Sequence, residues 1–564
     1  MRTSTRTAAF VVATVTASLV LSACGSGDKS EGEPKKQAVA NHASEVNPQP
    51  VSALKQGGEL RIAVREWITQ YNPSHVEGSQ GDRRTIAEPM LPSIWQVDAK
   101  GVITPDKDYI ESAESVDKGG KQVLTYKINP KAKWSDGTAL SYRDFEAMWK
   151  AQGQDNKDFL ISESTGYEDI ESVKAGANDQ EVVITMKKFT SQWQGMFWQL
   201  MPAKFIDTPD KFNKGWVEKI PVTAGPFKVG KMDKTAQTVT LVPDAAWWGE
   251  KPKLDKIVIR VLQPDAQIDA FLNKELDVTT ASNADYYKRL KAAKDTDFRI
   301  GSPWDETHMT FGSGGPVADV KVRQAVQMAV DNKVMADIAG KGLPVEFKTL
   351  GSHFYMPNQE GYQDNSGKYG KGDVAAAGKL LDEAGWKSAG EGQVRTKDGK
   401  KLELNYVTGA GASASVKARD AATQSMLKKV GIDMKINEVS ANDYFNKYVN
   451  KGAFDITGFR FTSATGLTSD GFGIYRDPKG GQIFQNYGKV VIPGGEAKYR
   501  EALSAKTPEE SQKLQNEADK MIWDAGHSLE IFQTPAIIAT PKKLANYGSP
   551  GLASVDWKSV GYMK

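Results

Sequence analysis

Apolar and polar residues alternate with a period of two in three well-separated stretches. They are Leu60, Ile62 and Val64 in "GGELRIAVR", Ile257, Ile259 and Val261 in "KLDKIVIRVL", and Leu402, Leu404 and Tyr406 in "KLELNYV". A period of two puts each set on one face, so each stretch is expected to be a strand. Helical patterns lie between them. In "DVKVRQAVQMAVDNKVMADIAG" the apolar set Val322, Val326, Ala329, Val330, Val334 and Ile338 recurs at three- and four-residue steps. "GDVAAAGKLLDEAGW" offers Asp373 as an N-cap, an Ala/Leu stripe and Gly385 as a terminator. In "WSDGTALSYRDFEAMW" an Asp136-Gly137 turn precedes Ser141 and Asp144, a capping pair for a helix carrying Phe145, Met148 and Trp149. Alternating strands and helices predict an α/β protein, and no repeat of 20 to 50 residues interrupts them.

The first residues follow another pattern. A basic start with Arg2 and Arg6 leads into the uncharged stretch "AAFVVATVTASLVL" at 8–21, and then into Leu21-Ser22-Ala23-Cys24. A basic region, a short apolar region and small residues before a cut site make an export signal, too short for a spanning helix. Leu-Ser-Ala-Cys resembles a bacterial lipobox, whose cysteine is lipidated before cleavage. Cys24 is the only cysteine of the 564 residues. It is therefore expected to be the lipid attachment site and the first mature residue. With that thiol acylated, disulfides, thiolate catalysis and cysteine metal sites are excluded. Residues 25–56, rich in Gly, Ser, Pro and charge, are expected to be a flexible tether.

Composition adds exclusions. Hydrophobic residues at 39% and charged ones at 25% suit a soluble globular body. The 73 basic and 70 acidic residues are spread along the chain, so nothing points to a nucleic-acid partner. There is no His-Glu-x-x-His, no Gly-x-Ser-x-Gly and no phosphate-binding loop. The histidines His42, His75, His308, His353 and His527 show no ligand spacing, so no metal and no cofactor are expected. The thirteen tryptophans are either core or the lining of a ligand cleft.

Several stretches, in order from about Gly57 to the C-terminus, resemble the extracytoplasmic solute-binding proteins of family 5, which serve oligopeptide and dipeptide ABC importers. They are "GGELRIAV" followed by Tyr71-Asn72-Pro73, "LPSIWQVDAKG" with "YIESAESVDKGGKQVLTYKINPKAKWSDGTALSYRDFEAMWKA", "TAGPFKV", "DAAWWGEKPKLDKIVIRV" and "VADVKVRQAVQMAVDNKVM". The resemblance implies a two-lobed α/β fold of the periplasmic-binding-protein type (class II), with an additional small domain and the ligand cleft between the lobes. The implied divisions are a signal peptide at 1–23, a tether at 24–56, lobe I at 57–90, 205–300 and 528–564, the small domain at 91–204 and lobe II at 301–527. Hinge crossings are expected near Arg299-Ile300 and Leu529–Phe532.

The resemblance also implies capture rather than catalysis. A monomer held at the outer face of the cell membrane by its lipid would bind a peptide or other small polar solute and pass it to ABC permease subunits. Alternatives are an oligosaccharide or modified peptide as ligand, a receptor for a signalling peptide, or an extracellular hydrolase. Ligand contacts are expected on loops facing the cleft: Arg65, Glu66, Trp67 and Tyr71 after the first strand, then Trp304, Glu306 and His308, and Phe532 at the second crossing. Arg460 is expected as a carboxylate clamp and Phe461 as an aromatic wall. In oligopeptide-binding members an Asp near this strand pairs with the ligand's α-ammonium. Ala464 stands at the comparable place here, so either Asp470 takes that role or the ligand has no free amino terminus.

Overall fold

Leu60, Ile62 and Val64 share the buried face of the first strand, β1 (Glu59–Val64), as the period of two requires. The computed structural model describes residues 44–564 apart from 79, 154–155, 391, 441–442, 464 and 480–482; the export segment, Cys24 and Ala464 lie outside them. After β1 the chain builds an antiparallel sheet from β2 (Ile110–Lys118), β3 (Lys121–Ile128), β4 (Ile170–Ala175) and β5 (Glu181–Met186), in the order β2-β3-β5-β4. Helix α1 (Tyr142–Gln152) packs on it. The capping pair is realised there, since the Ser141 N–H donates to Asp144 Oδ2 at 3.1 Å. Burial pushes the Asp144 carboxyl up to about 6, against the hydrogen bonds it accepts from the Ala203 and Ser141 N–H groups.

The chain then returns to β6 (Phe227–Asp233), β7 (Thr238–Pro243) and β8 (Lys256–Val261), which complete a sheet in the order β1-β8-β7-β6. β1 runs parallel to β8 and the other pairs are antiparallel. This sheet and the small-domain sheet share one continuous apolar cluster, from Leu60 through Phe145 and Ile184 to Ile259. The small domain is thus fused to lobe I through its core.

Next come β9 (Thr279–Thr280) and β10 (Thr296–Gly301), followed by lobe II: β11 (Asp305–Phe311), helices α2 (Val320–Ala329), α3 (Asn332–Gly340) and α4 (Val374–Glu383), β12 (Glu403–Gly409), α5 (Ala414–Lys429), β13 (Asp433–Val439), β14 (Ile456–Thr462), α6 (Pro508–Ala525) and β15 (Ser528–Gln533). Their sheet has the order β13-β12-β14-β11-β15. β16 (Ala536–Pro541) then pairs with β10 and β9 back in lobe I. The single helical stripe expected over 320–340 is two helices. Asp331 ends the first and caps the second, accepting from the Lys333 and Val334 N–H groups at 2.9 and 3.2 Å. The Asp373 cap and the Gly385 terminator (φ 85°) occur as expected.

Two boundaries differ from expectation. β15 belongs to the lobe II sheet, because its Ser528–Gln533 backbone pairs with β11. The crossings therefore lie at 302–304 and 534–535, and Arg299–Ile300 and Leu529–Phe532 are inside strands. The second difference is at the tether, whose last part is docked. Glu45 N–H donates to Ser549 O at 2.8 Å, Glu45 Oε2 accepts from Ile300 N–H at 2.7 Å, and Leu54 is buried at 2% exposure. The buried Arg299 guanidinium donates to the carbonyls of Tyr547 and Leu544, and to Val46 O at 3.5 Å. Composition alone marked this stretch as unable to fold by itself; backbone pairing with the C-terminal strands orders it.

Removing residues 44–56 exposes Leu54 and frees these donors and acceptors, a loss of about 3 kcal/mol. A chain starting at Gly57 is expected to melt roughly 3 °C below one starting at residue 44. Equal melting temperatures in calorimetry would show that the segment is not coupled to the fold.

Candidate functional site

The two crossings are pinned to each other. Thr534 N–H donates to Asp305 O at 2.8 Å, and Gln533 Nε2 donates to Pro303 O at 2.8 Å. A cavity of about 300 Å³ opens beside them, with walls from both lobes and the small domain. Lobe I gives Arg84, Glu88, Trp247 and the 550–558 loop; the small domain gives Trp95, Asp106, Asp108, Tyr109 and Trp198; the crossing gives Trp304 and Asp305; lobe II gives Thr462, Ser463 and Gly466. Five tryptophans line it: Trp95, Trp198, Trp247, Trp304 and Trp557. The indole N–H groups of Trp95, Trp304 and Trp557 have no acceptor among the described residues. Buried donors left unpaired beside a cavity are ready partners for a ligand's oxygen atoms.

Charge is unequal in the walls. Glu88, Asp106, Asp108, Asp305 and Asp556 stand against Arg84 and Lys558, five carboxylates to two cations. Arg84 pairs with Glu88 at 3.0 Å, and Lys558 contacts Asp108 closely. Burial raises the Asp106 carboxyl, against the hydrogen bond from Asp108 N–H. Burial likewise raises Asp305, opposed by Arg460, whose guanidinium lies 3.0 Å from Asp305 Oδ2.

The loop after β14 is held by its own hydroxyls. Asp470 Oδ2 accepts from Ser463 Oγ and from Thr465 Oγ1, both at 2.7 Å, and Ser463 N–H donates to Trp304 O at 3.1 Å. Burial raises the Asp470 carboxyl, against those two hydroxyl bonds. Asp470 thus braces the loop whose Thr462, Ser463 and Gly466 face the cavity, and is not itself in the wall.

Of the residues expected from sequence, Trp304 is in the wall, and Arg460 acts on it through Asp305. Arg65 lies 3.4 Å from Asp82, and burial raises the neighbouring Glu66 carboxyl. Trp67 packs against the lobe I core, and Tyr71 is fully inside it at 0% exposure, because the chain turns inward after β1. Phe532 is inside lobe II, edge-on to Phe347 at 5.2 Å, since β15 belongs to that sheet. Glu306 and His308 point to a buried face of β11, where the His308 ring stacks on Phe461 with centroids 4.7 Å apart. These five therefore leave the cavity for the interior. Sequence reasoning missed Trp95, Tyr109, Trp198, Trp247 and Trp557; tryptophan richness was the available signal, without positions.

The family model "Bacterial extracellular solute-binding proteins, family 5 Middle" matches residues 105–482. The chain belongs to this family. Among its relatives, the "Oligopeptide-binding protein OppA" of Mycobacterium tuberculosis is 32% identical over 571 residues, covering 100% of this chain and 95% of the relative. The solved "Periplasmic EDTA-binding protein EppA" superposes with a TM-score of 0.83 at 26% identity, covering 92% of this chain and 98% of that one. The oligopeptide-binding protein AppA from Bacillus subtilis, in complex with a nonapeptide, shares the fold at 18% identity and a TM-score of 0.76, covering 91% and 100%. Family 5 proteins are solute binders outside the cytoplasm, which makes this chain a binder and not an enzyme.

Lobe II also grips the small domain directly. Glu168 pairs with Arg500 at 2.6 Å and with Arg476 at 3.3 Å, and Gln192 exchanges hydrogen bonds with Thr468 and Ser469 at 2.8 and 2.7 Å. The paired groups are part-buried, so screening reduces but does not abolish the attraction. Glu168→Ala is expected to weaken ligand affinity roughly three- to tenfold, mainly through faster dissociation. Stopped-flow release rates check this; an unchanged off-rate would mean that these pairs do not hold lobe II to the small domain.

Proposed function

We propose that this chain captures peptides between its lobes and delivers them to an ABC importer. The observation that carries the reading is the inter-lobe cavity, with tryptophan walls, unpaired indole donors and a surplus of carboxylates. A peptide offers the complementary groups: carbonyl oxygens for the indole N–H donors, an α-ammonium for the acidic surplus, and side chains for the aromatic faces. The volume lies at the lower end of the range for ligand sites, so the enclosed part of the peptide is short. Family membership and the relatives that carry oligopeptide-binding names support the same reading. In it, Cys24 carries the lipid that holds the protein, as a monomer, at the outer face of the membrane beside its permease.

The test is to purify the chain, record native mass spectra, denature it and identify what is released. Peptides of mixed sequence are expected; a single non-peptide solute would overturn the proposal. The acidic surplus further implies that peptides with Lys or Arg bind roughly tenfold more tightly than their Glu or Asp counterparts at low salt, the gap shrinking as salt rises. Titration calorimetry at two ionic strengths measures it, and a preference for acidic peptides would contradict it.

In this reading Asp470 is a positioning residue. Asp470→Asn is expected to weaken free and N-acetylated peptides alike, because it loosens the loop. A loss confined to peptides with a free amino terminus would instead assign Asp470 the ammonium contact.

A further inference from the structure

The sequence separates its histidines widely, but the fold gathers three of them behind the lobe II sheet. A bulge brings a glutamate to one of them. β11 and β15 pair with a register shift after Thr307, so that Thr307 faces Phe532 while His308 faces Glu530. A bulge turns a side chain that would otherwise alternate away, and here it sets Glu530 on the same face as Glu306 and His308. One ligand atom from each of Glu306, His308 and Glu530 lies within 4.8 Å of the others. All three side chains are buried, with exposures of 0%, 1% and 1%. Neither oxygen of Glu306, neither oxygen of Glu530, nor His308 Nδ1 has a hydrogen-bond partner in this structure.

Two second-layer bonds set the imidazoles as donors. His308 Nε2 lies 3.1 Å from Thr310 Oγ1, which leaves Nδ1 turned to Glu306 Oε1 at 4.0 Å. His353 Nδ1 lies 2.6 Å from Asp519 Oδ1, and Asp519 is held in turn by Asn365 Nδ2 at 2.6 Å. That bond leaves His353 Nε2 unpaired, 3.6 Å from Glu530 Oε1. A carboxylate on the far nitrogen of a histidine is the usual support of a metal ligand.

We propose that Glu306, His308 and Glu530 form a binding site for one divalent transition-metal ion, of which zinc is the representative, with His353 Nε2 beside it 3.6 Å from Glu530 Oε1. Mixed imidazole and carboxylate donors without thiolate suit zinc better than calcium or magnesium. Donors around a tetrahedral zinc stand roughly 3.3 Å apart, so the trio closes by up to about 1.5 Å as the ion enters, a movement two glutamate side chains supply by torsion. The ion also resolves an electrostatic conflict. Glu306 and Glu530 are two acidic side chains buried side by side. A divalent cation neutralises both. It would join β11 to β15, the two strands that lead directly into the crossings.

The test uses the full chain, stripped with chelator and then dialysed against zinc chloride. Elemental analysis and native mass spectrometry are expected to find about one zinc per chain, and zinc should raise the melting temperature by several degrees. The double variant Glu306→Gln with Glu530→Gln removes the charge without changing shape, so it should fold without metal and bind zinc at least a hundredfold more weakly. Less than a tenth of an equivalent on the folded wild type would overturn the proposal, leaving a shared proton as what joins the carboxyls. Undiminished zinc on the double variant would also overturn it, by placing the ion elsewhere. If the double variant does not fold, the wild-type stoichiometry and melting shift decide alone.

Discussion

The functional site depends on a constraint of connectivity: among the described residues the chain passes between the lobes at 302–304 and at 534–535. The two crossings run side by side in opposite directions and are tied by Thr534 to Asp305 and by Gln533 to Pro303. On either side stand fully paired strands, β10 with β16 in lobe I and β11 with β15 in lobe II. Paired strands resist bending, so rotation of one lobe against the other concentrates where pairing stops. Trp304 and Asp305 sit at that place and line the cavity. The residues that permit the motion are therefore neighbours of those that meet the ligand.

The small domain makes closure effective. Because it shares the lobe I core, it moves with lobe I and carries Trp95, Tyr109 and Trp198 to the cavity wall. Its far edge meets lobe II through Glu168 and Gln192. The cavity is thus bounded by the crossings at one side and by polar contacts between small domain and lobe II at another. Aromatic walls between those boundaries lower the local dielectric, which strengthens the carboxylate surplus acting on a bound cation.

Much of the fold was legible because it is written in short-range pattern. The period of two at Leu60–Val64 and the caps at Ser141 and Asp373 are local, and each appears as a strand or helix start. The site was far less legible. Tyr71 and Phe532 were expected in the cleft on position and aromatic type, yet both are core, because an aromatic ring near a strand end suits either place. Residues 44–56 looked like linker, yet they pair with a C-terminal segment some 500 residues away in the chain, a partner no local composition reveals.

The sequence by itself determined the α/β alternation and the membership of a solute-binding family, since local backbone preference and ordered motifs carry those. Only the tertiary structure decided which tryptophans face the cavity and which, like Trp134 and Trp216, fill the core. It alone brought His308 and His353 near two buried glutamates, one of which a one-residue bulge turns to the His308 face. The reason is physical. A strand or helix is specified by neighbours a few residues apart, whereas a wall reaching from Arg84 to Lys558 exists only once the lobes are folded and joined.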